Sequence, residues 1–141
     1  MKPELRHLLR LQRLEKIRAV AKQSAAREAA EAESTLAQLE ALASRTGRLI
    51  ADYAMRADIL SAGELQQLSL FRDGLHGVSQ SARADALRAR ASADDKLTLL
   101  AEAERRRQAV EDRADAQSQS LAIKGQSPAL AARRGFGTAL E

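Results

Sequence analysis

Leu60-Ser61-Ala62-Gly63-Glu64 gathers helix-stop and helix-start residues in the middle of a run that otherwise holds almost no glycine or proline over its first 120 or so positions. Such punctuation between two long uninterrupted stretches reads as two helices of matching length joined by a tight turn. Ser61 and Glu64 have the spacing of an S-x-x-E capping box. The hydroxyl can accept from the Glu64 amide while the carboxylate accepts from the Ser61 amide. A cap of this kind contributes about 0.5–2 kcal/mol and fixes where the second helix begins.

Outward from the turn, the spacing predicts helix one from about Pro3 to Leu60, with Pro3 suited to a first helical turn. Its expected apolar seam passes through Leu14, Ile17, Ala21, Ala25, Ala29, Ala32, Leu36, Leu39, Ala43, Thr46, Ile50, Tyr53, Ala57 and Leu60. Successive steps of four around Ala21 to Ala29 read as a stutter. Helix two is expected from about 62 to 121, its stripe running through Leu65, Leu68, Phe71, Leu75, Val78, Ala82, Ala86, Ala89, Ala93, Leu97, Leu100, Ala103, Arg107, Val110, Ala114, Gln117 and Leu121. Folding at Ser61 would set residue i beside a partner near about 122 − i, in a hairpin about 90 Å long. Gly74 and Gly77 weaken one turn by about 1 kcal/mol each, which suggests a need for thin or pliable backbone there. Past Leu121, Gly125, Pro128, Gly135 and Gly137 mark a flexible tail over 122–141. The expected fold is all-α: a long two-helix antiparallel coiled-coil hairpin over 1–121 followed by that tail.

Composition supports a thin bundle over a globular core. Aromatic residues are 2% of the 141, charged residues 30%, and much of the 45% hydrophobic fraction is alanine, which fills narrow seams between close helices. The absence of cysteine excludes disulfides and thiolate metal sites and suits a reducing compartment. No run approaches a membrane span, and Met1-Lys2-Pro3-Glu4 lacks the apolar core of a signal peptide, so the expected location is cytoplasmic.

No catalytic constellation stands out. There is no phosphate-binding glycine loop and no cysteine nucleophile, and His7 and His76 are far apart on a hairpin that folds at Ser61. The expectation is a non-enzymatic protein with no cofactor, no metal and no small-molecule substrate. Glu28, Glu31, Glu33 and the run Glu102 to Arg107 read as solvated helix faces with pairs such as Glu102 with Arg106.

Function must then be read from faces and ends. The net charge of +4 is unevenly spread, because residues 1 to 27 hold eight Lys and Arg against Glu4 and Glu15. This basic segment carries Leu5, Leu8, Leu9, Leu11, Leu14 and Ile17, a pattern for a helix that docks by apolar contact with charge steering, or for leucines that close the far end of the hairpin. Missing aromatics argue against single-stranded nucleic acid. Phe71, Leu75, Val78 and Ala82 form a second stretch. Facing helix one they are core; rotated outward beside Gly74 and Gly77 they are a docking patch.

The opening Leu8-Leu9-Arg10-Leu11-Gln12-Arg13-Leu14-Glu15-Lys16, and the centre Ser61-Ala62-Gly63-Glu64-Leu65-Gln66-Gln67-Leu68 with Phe71 and Leu75 after it, resemble the flagellar export protein FliJ family over roughly residues 4 to 120. The resemblance implies a soluble component of the flagellar type III export apparatus, an antiparallel coiled coil similar to the central stalk of rotary ATPases. Its expected partners are the export ATPase hexamer, whose activity and ring assembly it promotes, and the cytoplasmic domain of the export-gate membrane protein. Export chaperones belong to the same expectation, and nucleic acid does not. By that likeness Arg6, Arg10, Arg13, Lys16, Arg107 and Arg113 contact the ATPase ring at the cytoplasmic face of the inner membrane. Phe71, Leu75, Val78 and Ala82 fall on the family's gate-docking positions, with Ala82 where the family pattern carries histidine. A stalk of a virulence-type secretion system, or a basic coiled-coil scaffold for nucleic acid or membrane, would share the architecture.

Overall fold

The computed structural model describes residues 2–56 and 60–136, the side chains of 127–136 excepted. Two helices, α1 (Pro3–Arg56) and α2 (Ala62–Phe136), pack against each other as a helical hairpin, with no strand among the described residues. None of the described helices is long and apolar enough to cross a membrane.

The expected capping box is present. The Glu64 amide donates to Ser61 Oγ and the Ser61 amide donates to Glu64 Oε2, each at 3.4 Å. Both bonds are at the long end for N–H···O, whereas the first helical bond, from the Leu65 amide to the Ser61 carbonyl, is 2.8 Å. The described part of α1 ends at Arg56, and Leu60, the expected last residue, is not helical. Ala57, assigned to the seam from sequence, lies outside the described residues.

At the other end α2 continues through Gly125 and Pro128 to Phe136, so the described part of the expected tail, 122–136, is helical; 137–141 lie outside the described residues. One glycine costs a helix only about 1 kcal/mol, whereas Pro128 gives up its bond to the Lys124 carbonyl and crowds that carbonyl, at about 3 kcal/mol, and the helix runs on past it. The Lys124 ammonium also pairs with Glu4 in the first turn of α1. With α1 beginning at Pro3, the last turns of α2 have no opposite helix.

The hairpin divides into two compact units, one of residues 1–25 with 100–141 and one of residues 26–99. In the unit at the turn, sheltered residues recur in strict steps of three and four from Ala29 to Tyr53 and from Leu68 to Lys96. Ala29, Ala82, Ala89 and Ala93 are buried there, as are Thr46 and Ser79. The Thr46 hydroxyl is satisfied by donating to the Leu42 carbonyl one turn back. In the unit at the termini, Leu11, Val110 and Ala114 form the buried centre.

This seam differs from the one expected from sequence. Arg72, Ser79 and Lys96 occupy positions that an apolar reading gave to Phe71, Val78 and Leu97. Arg18 and Lys22 likewise replace Ile17 and Ala21, leaving Ile17 64% exposed, and Leu65 also stands outside. With those exchanges, and with half-buried Glu15 beside Leu14 taking the step from Leu11 to Arg18, the spacing of α1 alternates four and three without a stutter. Aliphatic stems of Arg and Lys cover a seam while their heads reach water, so a stripe that excludes charged residues drifts by one position wherever they serve. The arrangement leaves Arg18 Nε and Arg72 Nε buried without an acceptor among the described residues. A buried unpaired donor costs about 1–3 kcal/mol.

Lys22 pairs with Glu104 in one unit; Glu28 with Lys96 and Tyr53 with Phe71 meet in the other. Each unit therefore sets residue i opposite about 125 − i, a shift of about three from the expected register.

A Cβ built on Gly74 or Gly77 meets nothing within 4 Å, so packing inside the hairpin does not require glycine at either place. Gly74→Ala and Gly77→Ala should each stabilise the chain by about 1 kcal/mol. Thermal melts followed by circular dichroism check this, and a lowered midpoint would mean that the backbone there departs from helix.

Candidate functional site

Two surfaces carry the residues singled out from sequence, one in each unit. The unit at the termini holds 14 Lys and Arg against 8 Asp and Glu, whereas the unit at the turn holds 9 against 11. The basic excess is thus confined to one end.

Within the terminal unit, Arg6, Arg10 and Arg13 are exposed and step by four and three along the outer face of α1. Ile17 and Val20, both strongly exposed, continue the same stripe. Leu9 shares a shallow groove of about 230 Å³ with the three arginines. Lys16 is exposed beside the stripe and lines a second shallow groove with Gln12, Glu15 and Ala19. Leu8, Leu11 and Leu14 turn instead toward the seam. The opening leucines therefore divide, some closing the hairpin and Leu5 and Leu9 remaining available. Ile17, which the sequence placed both in the seam and among the docking residues, stands outside, and Val20 was missed, although extending the arginine spacing by four and three would have found it.

Arg107 is engaged within the hairpin. Its guanidinium clasps Glu104 through Nε at 3.1 Å and NH2 at 2.8 Å, and reaches Glu111 through NH1 at 2.7 Å. Lys22 of α1 meets the same Glu104 carboxylate at 2.8 Å. The expected Glu102 to Arg106 pair gives way to this cluster because Arg107, at a seam position, can reach carboxylates on both sides of its own helix. Arg113 is exposed.

Hydrogen bonding from Arg107, then from Lys22, lowers the Glu104 carboxyl to about 2 from its ordinary 4.5. A depressed carboxyl contributes stability that is complete above its unfolded value and is lost as pH falls through the folded one. The cross-helix tie should therefore weaken as pH drops from 4.5 toward 2, and Glu104→Gln should flatten that part of the stability profile. Carbon-13 titration of the Glu104 carboxyl reads the midpoint directly; an ordinary value would show that the cluster is open in solution.

In the turn unit the four residues of the second surface separate. Ala82 is buried in the seam at 3% exposure, Leu75 is half-buried, and Phe71 and Val78 are 49% and 46% exposed. Phe71 rests edge-on against Tyr53, ring centres 5.0 Å apart and planes at 74°, and Arg56 stands 5.6 Å over the Tyr53 ring. Gly74 lies between Phe71 and Val78 on the same flank. On α1, Leu49 is one turn before Tyr53 and Leu42 two turns before Leu49, both partly exposed. The result is an apolar flank of two rows, Leu42, Leu49 and Tyr53 beside Phe71 and Val78, interrupted by bare backbone at Gly74. Near the turn this flank opens into a groove of about 320 Å³ lined by Tyr53, Leu60, Glu64, Gln67, Leu68 and Phe71.

No family model, curated protein or solved structure matches this chain.

Proposed function

We propose that the chain is a non-enzymatic stalk of the flagellar type III export machinery, binding the export ATPase through its basic end and the cytoplasmic domain of the export gate through its apolar flank. The observation that carries the reading is the separation of two surfaces by unit. Arginines at helical spacing stand exposed in the unit of 1–25 and 100–141, and Phe71 and Val78 stand half-exposed in the unit of 26–99. The resemblance in the opening residues and around Ser61 to Leu75 supports the family assignment. Escort of export chaperones and a peripheral location at the inner membrane's cytoplasmic face belong to the same proposal.

A stalk that works within a ring gains from charge steering without deep interlocking, because rim charges speed encounter more than they slow release. Arg6, Arg10, Arg13 and Lys16 suit that requirement, as does Arg113. Arg107 serves the hairpin's own cross-helix tie, which holds the pole together behind them.

Arg10→Glu with Arg13→Glu should reduce stimulation of ATP hydrolysis by the export ATPase and ring formation by about tenfold, with helicity unchanged. ATPase assays across a stalk titration measure it. Stimulation equal to the parent's would remove the basic stripe from the contact, and a flat response from the parent chain would remove the stalk reading.

Phe71→Ala should weaken binding to the gate's cytoplasmic domain while costing the hairpin about 0.5–1.5 kcal/mol through the lost Tyr53 contact. Calorimetric binding beside a thermal melt separates the two. A collapse of the fold would identify Phe71 as core, contrary to its exposure.

The same arginine stripe favours a second reading, a basic scaffold for an anionic polymer or bilayer. Binding to DNA or acidic vesicles that falls steeply with salt, with no response from the ATPase, would select it.

A further inference from the structure

The flank of the turn unit that carries neither Phe71 nor Val78 holds a groove of about 380 Å³ lined by Glu40 and Ala43 of α1 and by Arg83, Ala86, Leu87 and Arg90 of α2. Arg83 lies about 120° around α2 from Phe71, so the two surfaces are distinct. The floor is alanine, which lets another helix approach closely. Leu87 rises from the wall at 73% exposure. Arg83 and Arg90, seven residues apart, are exposed and make no ion pair among the described residues, although nearby Arg88 is paired with Asp85 and Lys96 with Glu28. On the α1 wall, Glu33 and Glu40 are also seven apart and exposed, with no ion pair among the described residues and the exposed Ala37 between them. Seven residues are two turns, so each pair shares one face.

These two walls complement one another. We propose that this flank is a self-association surface, on which two copies of the chain form an antiparallel four-helix bundle over the turn unit. Two hairpins side by side and pointing the same way, related by a two-fold axis parallel to the helices, place α2 of each against α1 of the other. A rotation of that kind preserves level along the axis, so the register between copies is the register within one. Arg83 then meets Glu40 of the second copy, Arg90 meets Glu33, and Leu87 covers Ala37, each within about two residues of the level set by the hairpin. The two-fold repeats every contact, giving four ion pairs around two leucine knobs seated on small residues.

A second copy fits better than an unrelated helix because both halves of the complement are already present in one chain at one spacing. The basic stripe at the termini and the Phe71 flank stay uncovered, so this inference stands or falls separately from the proposed function.

Sedimentation of the intact chain from about 1 µM to about 1 mM should show its mass doubling. Arg83→Glu with Arg90→Glu, or Glu33→Arg with Glu40→Arg, should weaken self-association about tenfold or more. Mixing the two double variants, or combining all four reversals in one chain, should restore it. Circular dichroism on each variant distinguishes a lost interface from a lost fold. Because the chain lacks cysteine, a copy with Ala37→Cys mixed with a copy with Leu87→Cys should form a disulfide-linked heterodimer on mild oxidation. A chain monomeric across the whole range overturns the proposal, as do double variants that associate like the parent or a dimeric mixture that does not cross-link.

Discussion

The width of the seam between α1 and α2 governs the rest of this molecule. A pair of helices can bury only one stripe from each, and here much of that stripe is alanine: Ala29, Ala82, Ala89 and Ala93 are among its buried members. Alanine brings the helix axes together and leaves little room for anything larger. No large side chain is fully buried among the described residues, and Phe71, Val78, Leu87 and Ile17 all stand at least partly in water. In a protein with a wide core these would be interior residues. In a hairpin they become surface, and the exposed apolar area is concentrated on flanks that another chain can cover.

Charged residues hold seam positions in both units, and two of those in the terminal unit are tied across the helices. Arg18, Lys22 and Arg107 occupy seam positions, and Glu104 takes bonds from both Lys22 and Arg107. Such charges survive because a two-helix seam is never far from water. The aliphatic stems supply contact and the heads of Lys22 and Arg107 are paired, whereas Arg18 Nε is buried without an acceptor among the described residues. The tie crosses from α1 to α2 at one level only, so it favours one register in a way that interchangeable alanines do not. The Lys124 and Glu4 pair has the same effect at the first turn of α1, where the seam ends and α2 continues alone.

Much of this was legible from residue order. The turn at Ser61, its capping box, the two helices and the approximate pairing all follow from helix-stop chemistry and three-four spacing, and the structure has them. The phase of the stripe was less legible, for a physical reason. Choosing apolar residues at each step selects Phe71 over Arg72 and Val78 over Ser79. A regular heptad selects the opposite, because geometry fixes which positions face inward and the side chain only adapts to them. Counting strict heptads back from Ala93 would have placed Phe71 and Val78 on the flank without coordinates. The arginine stripe was read as a charge excess; Ile17 was placed both in the seam and among the docking residues, and Val20, one step further along the stripe, was not named. Arg107 was the opposite case. Its position in the stripe was read rightly, but its bonds to Glu104 and Glu111 depend on rotamers that spacing does not specify.

The same heptad logic bears on how selective a second copy would be. If one hairpin slipped past the other by one heptad, the two-fold would be lost and the two sides would shift in opposite senses. On one side Arg83 would meet Glu33 and Arg90 would face Ala26; on the other Arg90 would meet Glu40 and Arg83 would face Gly47. Each side keeps one ion pair and leaves the other arginine beside a residue with no charge. Exposed pairs contribute only about 0.2–1 kcal/mol apiece, but the slip loses one on each side together with the symmetry. Alanine-floored grooves would otherwise accept a neighbouring helix at several levels. Two pairs of charges at one spacing, on a surface with so little apolar relief, therefore act chiefly on register, and the leucine between them supplies the contact that register makes possible.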